Sequence, residues 1–307
     1  MDNPVNVLFL CTGNSARSIL AEAILNRIGR ARFRGFSAGS QPKGAVNPHA
    51  LDLLKRLGCD VSYLRSKTWD EFARAGALKM HFIFTLCDSA AAETCPIWPG
   101  HPASAHWGLA DPAAAADGSP ERIAAAFRAA YATLAFRLSQ FVRLPFGALD
   151  RSSLKLRLND IGTRDCPLVP IKPGTPAFEK MRALLAAEGL PTSDLLEGGA
   201  RYLAIGADAF GGLVTLGTAG LLRSITVAPQ RRGEGLGALM LEELVAEARM
   251  LGIRDLWLLT TNAKDFFARH GFDVAPRSEA PEEVAGTAQF RDLCPETATL
   301  MRRRIAP

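Results

Sequence analysis

Long apolar runs are what this chain most plainly lacks. No stretch of 18 consecutive apolar residues occurs anywhere in its 307 residues, so no membrane-spanning helix is expected. The opening Met1-Asp2-Asn3 lacks the basic and then apolar pattern of a secretory leader, and the cytoplasm is the expected location. Cysteine is sparse as well. Six in this length, without dense pairing, exclude a disulfide-stapled secreted scaffold and fit a reducing compartment. No CxxC or HxxxH pair is present, so no metal site is expected; Cys95, His101 and His106 lack ligand spacing. No basic patch interleaved with aromatics argues for nucleic acid. Internal repeats and low-complexity segments are absent, apart from a small alanine tract at 113–116.

What remains is the composition of a globular protein: 48% hydrophobic and 22% charged residues, with a net charge of +5. The length suffices for two ordinary domains with full cores. The mild basicity, pI near 9.0, suits anionic substrates.

Chemistry concentrates first in residues 5–18. Val5-Asn-Val-Leu-Phe-Leu10 is a short apolar run with the length of a buried strand. Cys11-Thr-Gly-Asn-Ser-Ala-Arg17-Ser18 follows, and an amphipathic helix begins at Ser18. Strand, tight loop and helix N-terminus make an anion site, because successive backbone N–H groups turn inward and the helix dipole adds positive charge. Thr12, Gly13, Asn14, Ser15, Ala16, Arg17 and Ser18 are the candidate oxyanion-binding residues. Arg17 can fork onto two oxygens of a tetrahedral oxyanion. The same positive surroundings favour the Cys11 thiolate, the nucleophilic form. Gly13 permits close backbone approach, and Asn14 tolerates a left-handed conformation.

At these residues the chain resembles the low-molecular-weight tyrosine phosphatases and the arsenate reductases built on their fold. Residues 1 to about 144 alternate strands and helices: strands at 33–39, 82–86 and 105–108, and helices at 47–57 and 119–143, the last with Ser119 as N-cap and Pro120 at N1. That alternation implies an α/β fold, a parallel sheet covered on both faces with its ligand at the carboxyl ends of the strands.

Cys87 directly follows the third strand, and Cys95 opens Cys95-Pro-Ile-Trp-Pro-Gly. Structural cysteines are one reading; a thiol relay passing oxidation outward is the other. With His106-Trp-Gly, this segment resembles the thioredoxin-coupled arsenate reductases, over residues 5 to 162. The resemblance implies that Cys11 attacks arsenate, Cys87 attacks the Cys11–arsenic adduct, and Cys95 resolves the resulting disulfide for a thioredoxin. It also implies Asp111, in Asp111-Pro112, as general acid for an oxygen leaving arsenic. The phosphatases place aromatic residues after this Asp-Pro, whereas this chain has Ala113-Ala-Ala-Ala-Asp117. In some relatives a potassium ion lies under the loop, at positions matched by Asn14, Glu22 and Ser37.

Residues 145–165 read as a charged tail and linker, with domains expected at 1–162 and 163–307. From Pro167 the pattern changes: a short strand, a helix at 176–188, hairpin-like strands at 202–205, 212–216 and 221–227, a helix at 236–251, a strand at 256–260 and a helix at 263–269. Between them lies Val227-Ala-Pro-Gln230-Arg-Arg-Gly233-Glu-Gly235-Leu-Gly237-Ala, a strand, glycine-rich turn and helix start that suit a pyrophosphate, with Arg231 and Arg232 adding charge. Gly233 to Ala238 satisfies a dinucleotide fingerprint, but Asp255 precedes the next strand instead of ending it. Gln-x-x-Gly-x-Gly after Val-Ala-Pro resembles motif A of the GNAT acetyltransferases, and Asn262 to Phe272 resembles their closing helix, over 167–307. The segments 258–267 and 289–295 resemble the arsenic-resistance acetyltransferases, related to phosphinothricin and arsinothricin N-acetylation. This resemblance implies acetyl-CoA bound by Ile225, Val227, Arg232, Gly233, Gly235, Gly237 and Asn262. Where many members carry a tyrosine acid, this chain has Phe267. Cys59, Cys166 and Cys294 read as structural.

The expectation is thus an arsenate reductase fused to a GNAT N-acetyltransferase of an amine, an arsenic-containing or phosphinothricin-like amino acid among the candidates. The rivals are a tyrosine phosphatase fused to an acetyltransferase, and a non-catalytic sensor of oxyanion and coenzyme A.

Overall fold

The computed structural model describes residues 4–29, 32–92, 96, 98–165 and 168–305. The chain divides into two compact units, Met1–Cys166 and Pro167–Pro307.

In the first unit, β1 (Val5–Leu10), α1 (Arg17–Ile28), β2 (Phe33–Ala38), α2 (Pro48–Arg56), α3 (Asp70–Ala73), β3 (Phe82–Thr85), α4 (Asp88–Ala92), β4 (Ala103–His106), α5 (Pro120–Val142) and α6 (Arg151–Gly162) follow in order. The strands lie β2-β1-β3-β4, all parallel. Val7 to Leu10 have no exposed surface, as expected of a strand covered on both faces. Because β1 is central, its carboxyl end, and hence Cys11, sits between neighbouring strand ends where a doubly wound sheet opens its crevice.

The short α4 begins directly after Cys87. The expected linker is corrected. Residues 151–162 form α6, which docks on β4. Its Leu158 carbonyl accepts the Nε1–H of Trp107 at 2.9 Å, and Trp107 is itself fully buried against the ring of Phe84, 4.0 Å between centroids. The segment after β4 is fastened from behind by Arg137 on α5. Its buried guanidinium donates to the carbonyls of Trp107 (2.9 Å), Gly108 (3.1 Å) and Arg164 (2.8 Å). A buried cation with several acceptors gives that segment one conformation.

The second unit runs β5 (Leu168–Ile171), α7 (Pro176–Ala187), β6 (Arg201–Ile205), β7 (Ala209–Leu216), β8 (Ala219–Val227), α8 (Leu236–Met250), β9 (Asp255–Thr260), α9 (Lys264–Ala268), β10 (Asp273–Val274) and β11 (Thr299–Arg304). Its sheet has the order β10-β11-β9-β8-β7-β6-β5. Pairings are antiparallel except β8 with β9. That parallel pair requires a crossover, and α8 supplies it. Phe178, Met181 and Leu185 of α7 pack with Ile171, Tyr202 and Phe210 in one cluster, and α8 buries Leu239 to Leu241, Leu244 and Val245.

Candidate active sites

The loop after β1 is built as an inward-facing nest. The carbonyls of Thr12, Gly13 and Ser15 accept from the backbone N–H groups of Gln41, Lys43 and Asn47, at 3.0, 3.0 and 2.9 Å. With those carbonyls turned outward, the loop's peptide N–H groups face the pocket, where α1 starts without a side-chain cap. Asn14 takes the left-handed conformation expected of it, at φ 38°. Beneath the loop, a Cβ on Gly39 would lie 2.4 Å from the Thr12 carbonyl oxygen, so only glycine lets β2's end pass so close.

Cys11 is buried, and its Sγ lies 2.9 Å from Ser18 Oγ. Asn14 Nδ2 donates to Ser18 Oγ at 3.0 Å, so the serine is held beside the sulfur; a thiolate there can only accept, and the Ser18 hydroxyl is placed to donate to it. Asn14 Nδ2 also donates to Ser37 Oγ (2.9 Å), and Asn14 Oδ1 accepts the Lys67 backbone N–H (2.7 Å). Every polar atom of this wholly buried amide is thereby satisfied.

Arg17 is turned toward the segment after β4. Its Nη2 donates to Asp111 Oδ2 at 3.0 Å and its Nη1 to the Leu109 carbonyl at 3.2 Å. Asp111 Oδ1 also accepts the Ala113 N–H at 3.1 Å. The pair stands at the pocket mouth, with the Asp111 side chain 41% exposed. An incoming oxyanion would compete with Asp111 for the guanidinium.

Cys87 packs with Cys11 and Ala90 in one small buried cluster. Its Sγ lies 3.7 Å from Thr12 Oγ1 and accepts the Ala90 N–H at 3.4 Å. Two thiols expected to meet are thus neighbours across the loop. Cys95 lies outside the described residues, as does Cys166.

The potassium expectation does not fit. Among the residues matched to it, the Lys67 ammonium stands 3.3 Å from Glu22 Oε2 and 3.4 Å from Ser37 Oγ. Burial pushes the Glu22 carboxyl above its usual range and the Lys67 ammonium below its own; the attraction between them opposes both shifts. Lys67 was invisible as a site residue in the sequence, since nothing in Ser66-Lys-Thr-Trp69 marks a lysine that folds beneath a loop 50 residues upstream. Among the described residues no group of His, Cys, Asp and Glu is arranged to hold a metal.

In the second unit, β8 and β9 pair only from Ala219 with Asp255 to Leu221 with Trp257. Beyond that the strands part, opening a cleft between parallel neighbours. Ser224, at φ 55°, marks a bulge where the β7–β8 register shifts. Half-buried Ile225 and Val227 alternate with buried Thr226 along the free part of β8. The turn then takes left-handed backbone at Gly233 and Gly235, φ 81° and 88°, and Gly235 caps α8 without any side-chain hydrogen bond. The first N–H groups of a 15-residue helix are left for an anion. Val227, Gly237 and the Phe266 ring converge, since a Cβ on Gly237 would touch both at 3.6 Å. Asn262 is exposed after β9.

The two arginines of this turn separate. Arg232 is half exposed, with Nε on the Val227 carbonyl at 3.2 Å and Nη2 2.5 Å from Glu188. Arg231, expected to add charge for a pyrophosphate, is instead buried between Asp208 (2.8 Å) and Glu234 (2.6 Å). It braces the turn against the β6–β7 connection. Phe267 is buried, packing against Phe266 and Phe272, as its apolar ring requires.

Comparison with known proteins matches each unit separately. The family model described as low molecular weight phosphotyrosine protein phosphatase matches residues 6–153. The acetyltransferase (GNAT) domain model matches residues 197–274. Arsenate reductase 1 of Staphylococcus epidermidis is 35% identical over 132 residues, 43% of this chain and 96% of that protein. The arsenate reductase of Bacillus subtilis is 36% identical over 141 residues, 46% of this chain and 96% of its own length. A Mycobacterium tuberculosis structure, Rv2747 in complex with CoA, is 22% identical with a TM-score of 0.38, covering 45% of this chain and 99% of that one.

Proposed function

Since the chain belongs to the low molecular weight phosphotyrosine phosphatase family in its arsenate reductase branch, and continues into a GNAT acetyltransferase domain, we propose that it reduces arsenate by a three-cysteine relay and acetylates an amine. The observation that carries the first half is that Cys87 shares one small buried cluster with Cys11 at the oxyanion loop.

The Cys11 thiolate attacks arsenic and displaces one oxygen, which leaves as water with a proton from Asp111. Arg17 turns from Asp111 to the bound oxyanion, which frees that carboxyl for the acid role. Cys87 then attacks Cys11 Sγ. A disulfide forms, the electron pair of the sulfur–arsenic bond stays on arsenic, and arsenite departs. Cys95 attacks Cys87 Sγ, which restores the Cys11 thiolate and leaves a Cys87–Cys95 disulfide for a thioredoxin dithiol to reduce by exchange. In the second unit the α8 N-terminus and the Gly233–Gly237 turn hold the pyrophosphate of acetyl-CoA, with Arg232 and Asn262 beside it. The thioester lies along Ile225 and Val227 in the cleft between β8 and β9. A neutral amine attacks the thioester carbonyl, the carbon–sulfur bond breaks, and the amine's proton passes to the departing sulfur, which gives an amide and coenzyme A thiol. An arsenic-containing amino acid is the acceptor class that would give both halves one purpose.

Cys95→Ala tests the relay. It should complete about one turnover and stop as a Cys11–Cys87 disulfide, because the chemistry before resolution needs only two thiols. Peptide mapping after arsenate exposure reads this directly; sustained turnover with thioredoxin would mean that no third cysteine is needed.

A further inference from the structure

The floor beneath the oxyanion loop holds an ion pair that the relay does not use. Glu22 on α1 and Lys67 on the segment before α3 have side chains only 4% and 5% exposed, with Nζ and Oε2 3.3 Å apart. The ammonium also reaches Ser37 Oγ at 3.4 Å and the Arg65 carbonyl at 3.2 Å. Three acceptors for three N–H groups is the coordination of a charged ammonium. Ser37 in turn donates to Glu22 Oε2 at 2.5 Å and accepts from Asn14. An unbroken path therefore runs from Lys67 through Ser37, Asn14 and Ser18 to the Cys11 sulfur.

A carboxylate, a hydroxyl and a carbonyl oxygen around one buried point form an oxygen cage for a monovalent cation. Here the chain fills that cage itself. The lysine backbone is held to the same loop: its N–H bonds Asn14 Oδ1, and its carbonyl accepts the Gly39 N–H at 2.9 Å. We infer that Lys67 is a tethered cation beneath the oxyanion loop, a positioning residue that neutralises Glu22, sets Asn14 and makes the first unit independent of potassium. A free ion must be captured from solution and its occupancy follows concentration. A tethered ammonium is present at any ionic composition.

The experiment compares potassium chloride with tetramethylammonium chloride, whose cation is too large for the cage, at equal ionic strength. It uses the full chain as wild type, Lys67→Ala, Lys67→Gln and the neutral pair Glu22→Gln/Lys67→Met. The readouts are arsenate turnover and the calorimetric transition that Lys67→Ala displaces. The inference rests on the arsenate-reductase reading for the first readout only. Wild type should be the same in both salts. Lys67→Ala should lose about ten- to hundredfold in kcat/KM without potassium, the usual cost of removing an outer supporting group. Potassium should restore most of that loss and raise the transition in a saturable way. The neutral pair should stay slow in both salts, having no carboxylate to bind an ion. Should Lys67→Ala not fold in either salt, Lys67→Gln takes its place, with the same dependence expected.

Wild-type stimulation by potassium would overturn the inference, as would a lysine variant that matches wild type or is equally impaired in both salts. A wild type that turns over no arsenate in either salt would sink the reductase reading and leave the calorimetric comparison to decide this one.

Discussion

Arg231 and Arg232 are adjacent and identical in chemistry, yet the structure gives them different work. The Arg231 side chain is 3% exposed between two carboxylates, and removing one partner of a buried pair strands charge in a dry place. Arg231→Ala should therefore destabilise the second unit by about 3 kcal/mol, read as a shift of its transition in chemical denaturation. Arg232→Ala should leave that transition in place and weaken acetyl-CoA by less than about tenfold, the scale of a half-exposed charge. The reverse ranking would mean that the ligand, and not the fold, claims Arg231. The same contrast explains what a sequence discloses at this scale. Cys11, Asn14, Arg17 and Ser18 all fall within residues 11–18, so their geometry is local and their purpose is readable. Lys67 acts with Glu22 and Ser37, 45 and 30 residues away, a relation only tertiary packing creates.

Most elements are written in short-range pattern. Ser119 accepts the Arg122 N–H at 3.4 Å at the head of α5, and the apolar runs at 5–10 and 82–85 are strands. Those that escape reading lack a pattern of their own. α6 carries many charges and owes its docking to Trp107, while β11 ends in Arg302-Arg-Arg304 and looks like surface. In the fold, Arg302 lies 5.4 Å over the Trp257 ring and 3.0 Å from Asp255, so its stem covers apolar sheet while its head stays paired. The turn before α8 was legible because glycine there is a backbone requirement. Gly235 at φ 88° occupies a region closed to proline, whose ring fixes φ near −65° and which has no N–H to offer. Gly235→Pro should reduce acetyl-CoA affinity by at least about a hundredfold, since a lost donor and a displaced turn act together on the anion site. Calorimetric titration, with circular dichroism to confirm retained helix, checks it. Unchanged affinity in a folded variant would move coenzyme A elsewhere.

At the scale of the whole molecule, two units with separate sheets and separate clusters of buried side chains carry two chemistries. No helix among the described residues is long and apolar enough to cross a membrane. The sequence indicated both units because each keeps its anion-binding turn in one strand–turn–helix segment, 5–18 and 222–238. Separate cores make separate failures the central expectation, and Cys11→Ser tests it most directly. With arsenate, thioredoxin and a thioredoxin-reducing system, this variant should show no arsenite production above background, because serine offers neither a thiolate nor a sulfur for Cys87 to attack. In the same preparation, calorimetric titration with acetyl-CoA should give the wild-type affinity. Arsenite formation by Cys11→Ser at a substantial fraction of the wild-type rate would contradict the account.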